Sequence, residues 1–389
     1  LLYPAFMQAN NIQVANISLE NQNATAHYTF IEFDISWENS WRTSSVPNNW
    51  DAAWVFAKFS IAGGDWAHAT LNTTGQVAPS GSTIDVSSDG VGAFIYRSAD
   101  GNGTISWTDA RLQWNYGIDG VPDDASVEVR VYAIEMVFIP EGSYYLGDGA
   151  STNRFYQSDD PAVPYLVTSE DLIPLSGGGP DQLYAMNGFD FPDILPQLGT
   201  EYPKGFQAIY CMKYEISQEQ YVDFLNTLTR VQQNTRTETD ISGESPLSGL
   251  NFIMAAHATH FPPNIRSGVW CEDVLPPAPE SIMVYNNFET PTPPNSIEDA
   301  QNVPCNYLSW MDQAADLDWS GLRPATELEF EKICRGTNPA IASEYVWGTT
   351  NIWDQVEVSN WINVNQPDET IDPGYVQTNT GMASFTGVY

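Results

Sequence analysis

The stretch GLRPATELEFEKICRG, residues 321–336, gathers positive charge in a chain that otherwise has little of it. Only 14 of the 389 residues are Lys or Arg, against 49 Asp or Glu. A helix explains most of the pattern, because Thr326 is a favoured N-cap and Glu329, three residues later, completes a capping box. Arg335 suits the negative end of a helix, and Gly336 is a common residue type just past that end. The stretch therefore predicts a helix with a signal at each end.

Two features of this helix need more than local rules. Phe330, Ile333 and Cys334 recur at helical spacing, which predicts that they form its buried face. Arg323 precedes the helix beside Pro324, where neither a cap nor the helix dipole accounts for it. We expect Arg323 to be a structural clamp, held by an ion pair or by carbonyl oxygens across the fold.

The same signals predict two further helices upstream. In SQEQYVDFLNTLTRV, residues 217–231, Ser217 and Gln220 are spaced as a capping box. The apolar residues that follow have the i, i+3, i+4, i+7 spacing of an amphipathic helix. They are Tyr221, Phe224, Leu225 and Leu228. Ser309 and Asp312 form a third pair of this kind, so a helix is expected there as well.

Residues 1–133 have the pattern of short antiparallel strands. Segments rich in β-branched and aromatic residues alternate with turn signals such as GGD at 63–65. Val127, Val129 and Val131 occupy every second position, which is the period of a half-buried strand. This pattern predicts an antiparallel β-sandwich. The Trp residues of this part either fill that core and its rim, which we expect, or form a sugar-stacking surface.

The sequence pattern changes after residue 133, and a second domain is expected over residues 134–389. Short strands and the three helices alternate there with two long, polar, Pro-rich segments at about 150–203 and 232–302. Because segments of this length exceed ordinary loops, they are predicted to be surface insertions. The predicted fold class is α+β, with the antiparallel β-sandwich at 1–133 followed by this second domain.

Composition narrows the function and the location. A net charge of −35 argues against nucleic acid and against an anionic membrane surface as partners. No apolar run reaches the ~18 residues that a transmembrane helix needs. The acidic balance, the scarcity of Lys and the Asn-, Ser-, Thr- and Gly-rich loops favour an exported protein, extracellular or on the outer cell surface.

Cysteine and histidine give little chemical signal. The four cysteines are Cys211, Cys271, Cys305 and Cys334. None forms a CxxC pair, which excludes a zinc ribbon or a thioredoxin motif, and three disulfide pairings or none are open. His257 and His260 could be a metal pair, but they lack the context of zinc or iron enzymes, and a polar loop is expected.

Five segments occur in an order that characterises one family. They are MVFIPEGSYYLG (136–147), KYEISQEQYVDFLN (213–226), VPCNYLSWMDQAADLDW (303–319), LRPATELEFEKICRG (322–336) and YVWG (345–348). Together they resemble the formylglycine-generating enzyme, or sulfatase-modifying factor, family over about residues 134–389. The resemblance implies a C-type-lectin-like fold with large loop insertions. Because R-P-A-T-E-L-E-F replaces the family's R-L-P-T-E-x-E-W, the chain looks like a divergent branch known from gliding Bacteroidota.

The resemblance also concerns the family's oxidase site. In the family, a copper-binding pair of cysteines performs the oxidation, and it belongs to the portion that follows G-[VL]-Y. Here the sequence reads ASFTGVY and ends at Tyr389. The resemblance therefore implies a domain that is incomplete at its C-terminal end, with no catalytic residue assigned and no copper expected in this chain.

A calcium site is a further implication of the resemblance. One family site uses an Asn side chain and the next carbonyl soon after Y-x-W-G, then an Asp and another carbonyl. Here these positions correspond to Asn360, the Trp361 carbonyl, Asp372 and the Gly374 carbonyl, and Asp368 could replace Asp372. Hard oxygen ligands of this kind suit Ca²⁺, so a Ca²⁺ site is expected here, with an ordinary acidic loop as the alternative.

The leading hypothesis is an exported, non-catalytic binding or structural module of a bacterial cell-surface or secreted assembly. Its expected partner is a protein or a glycan on the cell surface. One alternative is a formylglycine-generating or related oxidase whose catalytic cysteines lie beyond Tyr389. Another is a cargo or component of an outer-membrane machine for gliding motility or type 9 secretion.

Overall fold

A computed structural model gives the fold of the chain. It describes residues 11–150, 155–175, 179–184, 197–242, 253–254, 267–271, 282–284, 304–345, 350, 352–353, 361–362, 370–371 and 381–382. Strands dominate these residues, and nearly all of the strands pair in antiparallel fashion. The α+β class with a mostly antiparallel β architecture is therefore confirmed.

The chain begins with long strands and continues with short strands and short helices. The strands are β1 (Gln13–Asn23), β2 (Tyr28–Arg42), β3 (Trp50–Ile61), β4 (Trp66–His68), β5 (Ser82–Val86), β6 (Ala93–Arg97), β7 (Gly101–Trp114), β8 (Val127–Ile139), β9 (Tyr144–Leu146), β10 (Tyr165–Val167), β11 (Ile173–Pro174), β12 (Gln197–Leu198), β13 (Ile209–Met212), β14 (Val269–Cys271), β15 (Ile282–Val284), β16 (Ile352–Trp353), β17 (Trp361–Ile362), β18 (Thr370–Ile371) and β19 (Gly381–Met382). The described helices are α1 (Gln218–Leu225), α2 (Arg230–Asn234), α3 (Trp310–Ser320) and α4 (Glu327–Arg335).

The strands β1–β8 and β13 form one large sheet with two groups of strands. In the first group, β2 pairs with β1 and with β7. In the second group, β3 pairs with β8 along one edge and with β4 and β6 along the other. β5 extends this group from β6, and β13 extends it from β8. A single residue pair, Arg42 with Trp50, joins β2 to β3.

The apolar faces of the two groups share one core. Every second residue of β2 is buried, as the alternating pattern of a half-buried strand requires. These residues are Ile31, Phe33, Ile35 and Trp37. They cluster with buried residues of β3, β6, β7 and β8. Trp37 and Trp114 are each 1% exposed, so these Trp side chains fill the core as expected.

β3 is buried on both of its faces. Val55 and its same-face neighbours belong to the core shared with β2. Trp54 and Phe56 point the other way, into a second cluster that Trp319 and Leu322 from the α3 region join. The indole of Trp54 donates to the carbonyl of Ser320 at 2.8 Å. β3 therefore positions α3 against the large sheet.

The predicted domain boundary falls inside a strand. β8 runs without interruption through residues 133 and 134, and β13 pairs with its second half from Ile139 to Met136. The large sheet therefore contains residues from both sides of the boundary. The division into domains at 1–133 and 134–389 stays a prediction.

The predicted insertions supply buried residues where the structure describes them. Val167, Ile173 and Leu183 pack against β9 and Leu328 of α4. Residues from the second insertion, including Ile241 and Ile253, cover the apolar face of α1. Ile241 and Ile253 are buried because the apolar face of a short amphipathic helix such as α1 has to pack against other apolar residues. These parts of the insertions are therefore core rather than surface.

The predicted buried face of α4 is wrong. Phe330 is 55% exposed, and Ile333 and Cys334 are only half-buried. The buried residues of the helix are Leu328, Glu329 and Lys332. Apolar periodicity failed here because the charged side chains of Glu329 and Lys332 find hydrogen-bond partners inside the fold.

Two further findings concern the whole described part of the chain. All four cysteines are free thiols, so none of the three disulfide pairings occurs in this structure. No helix among the described residues is long and apolar enough to span a membrane, in agreement with the sequence.

Candidate functional site

Buried charged side chains occur in several regions of the described residues, and the first of them is α4. The Arg323 guanidinium makes two hydrogen bonds to the Glu329 carboxylate, at 2.8 and 2.6 Å. The same carboxylate accepts the backbone N–H of Thr326, the N-cap, at 2.8 Å. The Thr326 hydroxyl in turn accepts the N–H of Glu329 at 3.1 Å. Arg323 therefore clamps the first turn of its own helix instead of reaching across the fold.

Lys332 and Arg335 hold α4 to other segments. The Lys332 ammonium is fully buried and donates to the carbonyls of Phe206 and Gln207, at 3.0 and 2.9 Å. Burial lowers its pKa to about 8. Arg335 donates to Glu344 at 2.6 Å and to the carbonyl of Tyr145 at 2.7 Å. The cations of this region are therefore structural contacts.

The other predicted residues are divided between described and undescribed parts. Ser217 is the N-cap of α1 with its capping box formed. Asn360, Asp372 and Gly374 lie outside the described residues, as do Asp368, His257 and His260. Trp361 begins β17, and only its backbone is described. Within the described ranges, no group of three His, Cys, Asp or Glu could hold a metal ion.

The second region is a cavity of about 480 Å³ where β1 and β8 meet α1 and α3. It was not predicted. Ligand pockets for small molecules commonly measure about 300–1,000 Å³, so the size suits a small organic group. Its polar lining includes Asp223 from α1, Asp316 from α3 and Glu219, and no Lys or Arg is among the lining residues.

Three aromatic rings form one wall of the cavity. Phe56, Tyr132 and Trp319 pack together with ring centroids 4.8–5.4 Å apart. Two polar atoms of this wall, Tyr132 Oη and Trp319 Nε1, are buried without a hydrogen-bond partner among the described residues. Arg130 lies close enough to the phenol to influence its pKa, but its geometry does not form a hydrogen bond. The wall therefore has unused polar atoms as well as apolar surface.

Two carboxyl groups of the cavity have no direct partner. Asp316 is 6% exposed, and burial raises its pKa to about 7, opposed only by the charge of Arg236. Burial also raises the pKa of Asp223 to about 7, with Glu219 adding repulsion and Arg130 opposing it. Neither carboxyl accepts a hydrogen bond from a described residue. Such groups are costly to bury, so the cavity is the natural candidate for a binding site.

The cations near this cavity are already engaged. Arg236 pairs with Asp312 at 3.1 Å. Lys58 lies 5.4 Å from the centroid of the Trp319 ring and 2.8 Å from Nδ1 of His68, and burial lowers its pKa to about 8. None of these cations is among the lining residues. The carboxyls of Asp223 and Asp316 therefore have no ion pair with these cations.

The sequence contained a weak signal for this cavity. Asp316 lies on the buried side of α3, one turn before Ser320, whereas Asp223 is not among the buried residues of α1. An acid inside an apolar stripe is expected to have either a partner or a function. In a chain with 49 acidic residues, however, such positions do not stand out.

Comparison with known proteins gives one similarity. The chain is 27% identical over 184 residues to a formylglycine-generating enzyme of Thermomonospora curvata, which covers 46% of this chain and 53% of that enzyme. The chain thus spans about half the length of the curated relative it matches. No family model and no solved structure matches the chain. The similarity is distant and supports the family expected from the five motifs, but not its finer branch.

Proposed function

We propose that the chain is a non-catalytic binding or structural module on a scaffold similar to that of formylglycine-generating enzymes. The observation that carries the proposal is the cavity, where the buried carboxyl of Asp316 has no partner within the protein. A fold under no demand from a ligand is expected to pair such a group or to replace it. The proposed ligand site therefore lies between α1 and α3.

The described thiols favour a non-catalytic role. Burial raises the pKa of Cys211 and of Cys305 above the ordinary thiol value. Burial also raises the pKa of Cys334, to about 11. Reactive cysteines and metal-binding cysteines act as thiolates, which a lowered pKa provides. None of these three thiols has that property.

The finer features of the proposal follow from the strand pattern of residues 1–133, from the composition and from the five motifs. They are a β-sandwich at 1–133, a C-type-lectin-like fold at 134–389 and a relationship to Bacteroidota proteins. The proposed location is the outer cell surface or a secreted assembly, such as an outer-membrane secretion or gliding machine, with a surface protein or glycan as partner. Ca²⁺ bound through Asn360 and Asp372 would belong to this scaffold.

A direct assay tests the non-catalytic role. The protein is incubated with copper, oxygen and a cysteine-containing sulfatase peptide, and the peptide is analysed by mass spectrometry. We expect the peptide cysteine to remain unmodified. Formation of formylglycine would overturn the proposal.

The distant relative favours a second candidate, because it is a formylglycine-generating enzyme by name. In this alternative, the catalytic cysteines lie beyond Tyr389 in the native polypeptide. The intact mass of the native protein, measured alongside the peptide assay, separates the candidates. A longer native chain that carries two further cysteines and converts the peptide would select the oxidase.

A further inference from the structure

We propose that the cavity between α1 and α3 binds an aliphatic ammonium group, such as a lysine side chain or a free alkylamine. The proposal rests on the binding function above, since it names the ligand class of the same cavity. It starts from the charge, the shape and the unused polar atoms of the lining residues.

The charge of the cavity selects a cation. Asp316, Asp223 and Glu219 line it, while Lys and Arg are missing from its lining. The nearby guanidinium groups make their ion pairs with other acids: Arg236 with Asp312 through Nη1, and Arg130 with Glu128 at 3.0 Å. A neutral ligand would leave the Asp316 and Asp223 carboxylates without a hydrogen-bond donor, whereas an ammonium group would donate to them and neutralise charge.

The shape of the cavity selects an aliphatic cation. The aromatic wall of Phe56, Tyr132 and Trp319 offers ring surface of the kind that attracts ammonium groups. Apolar side chains from β1, β8, Met212 and Ile216 also line the cavity, and they suit the methylene chain of an alkylamine. The polar residues that line the cavity beside them are Asn11, Gln13, Ser217 and Gln220. The Tyr132 hydroxyl, which has no partner among the described residues, is an additional acceptor.

The titration of the carboxyls predicts how binding depends on pH. Both pKa values are about 7, so the carboxyls lose much of their negative charge as the pH falls to 6. The titratable groups that interact with Asp316 are Arg236, Cys305 and Tyr221, and Asp312 acts on the last two as well. Those that face Asp223 are Glu219, Arg130 and Tyr132. The pKa of Lys58 is about 8, so amine affinities are compared between pH 6 and 7.5, where this side chain stays largely charged. Within that range, affinity for an amine should rise with pH.

Isothermal titration calorimetry of the full chain at pH 7.5 tests the proposal. The ligands are cadaverine, for a free amine, and N-α-acetyl-lysinamide, for a peptide lysine. N-α-acetyl-norleucinamide, which lacks the ammonium group, and the neutral disaccharide cellobiose are the controls. We expect both amines to bind, the norleucine compound to bind at least about tenfold more weakly, and affinity to fall at pH 6. The tighter of the two amines identifies the source.

Two substitutions locate the binding. Asp316→Asn should weaken the amines about tenfold or more, whereas Asp124→Asn, at an exposed position outside the cavity lining, should bind them like the wild type. Asp223→Asn repeats the test from α1. Equal affinity for the norleucine compound, unchanged affinity in Asp316→Asn or no amine binding would each overturn the ammonium ligand. Cellobiose binding that Asp316→Asn abolishes would overturn it too while retaining the proposed binding function, which the formylglycine assay tests separately.

Discussion

The α4 region and the cavity treat buried charge in opposite ways. Around α4, the Glu329 carboxylate and the Lys332 ammonium are each buried, and each has at least two hydrogen-bond partners. In the cavity, Asp316 is buried to a similar degree and accepts no hydrogen bond from a described residue. Burial costs both regions the hydration of their charges, but only the first region recovers it within the protein.

The difference separates structural charge from functional charge. The clamp of Arg323 on Glu329 and the contacts of Lys332 fix one helix against neighbouring segments. Among the described residues, the Asp223 and Asp316 carboxyls hold no segment in place through a hydrogen bond. They raise the free energy of the folded state when ionised. Substitutions in the two regions should therefore change stability in opposite directions.

Among the charged side chains, removing Glu329 should have the largest effect. Glu329→Ala deletes the partner of Arg323 and the acceptor of the Thr326 N–H at once. We expect the free energy of unfolding to fall by about 3 kcal/mol, measured by urea denaturation at pH 7. Glu327→Ala, an exposed acid in the same first turn, is the control and should cost less than about 1 kcal/mol. Equal losses in the two variants would show that the clamp does not stabilise the helix.

Asp316→Asn should change stability in the other direction. The pKa of Asp316 is about 7 in the folded chain and has its ordinary value of 3.8 in the unfolded chain. The folded state therefore keeps a proton that the unfolded state loses, so the contribution of Asp316 to wild-type stability should fall as the pH rises from about 4 to about 7. Above pH 7, Asp316→Asn should be more stable than the wild type by about 1–3 kcal/mol, and at pH 4 the two should agree.

Asp124→Asn is the control for this pH dependence. Asp124 is an exposed acid outside the cavity lining, so its substitution should leave the pH profile of the wild type unchanged. Thermal unfolding at several pH values measures all three proteins. A stability profile of Asp316→Asn that runs parallel to the wild type would contradict the burial of an unpaired carboxyl.

The cap of α4 should contribute less than its clamp. Thr326→Ala removes the acceptor of the Glu329 N–H and the hydrogen bond from Thr326 Oγ1 to the Pro203 carbonyl. We expect a loss of about 1 kcal/mol in urea denaturation. Thr326→Ser keeps the hydroxyl and should retain most of the stability. An unchanged unfolding midpoint in Thr326→Ala would refute the assigned start of the helix.

The sequence predicted where the helices begin better than it predicted which partners the buried charged side chains have. α4 begins after Thr326 and α1 after Ser217, where the capping signals lie, because caps depend on residues three positions apart. The cavity depends on residues from β8, α1 and α3, whose approach no local pattern records. The same limit explains the domain boundary, since the pairing of β13 with β8 joins residues about 70 positions apart.

The exposed Phe330 gives the smallest predicted effect and the most direct test of the corrected helix face. Phe330 is 55% exposed, whereas Leu328, two positions earlier, is 3% exposed and packs in the core beside β9. Phe330→Ala should change the free energy of unfolding by less than about 0.5 kcal/mol, because a surface substitution removes little buried area. Leu328→Ala should cost about 2–4 kcal/mol through the cavity that it leaves. If Phe330→Ala were the more damaging of the two, apolar periodicity would have identified the buried face after all, and the buried charges of Glu329 and Lys332 would lose their structural role.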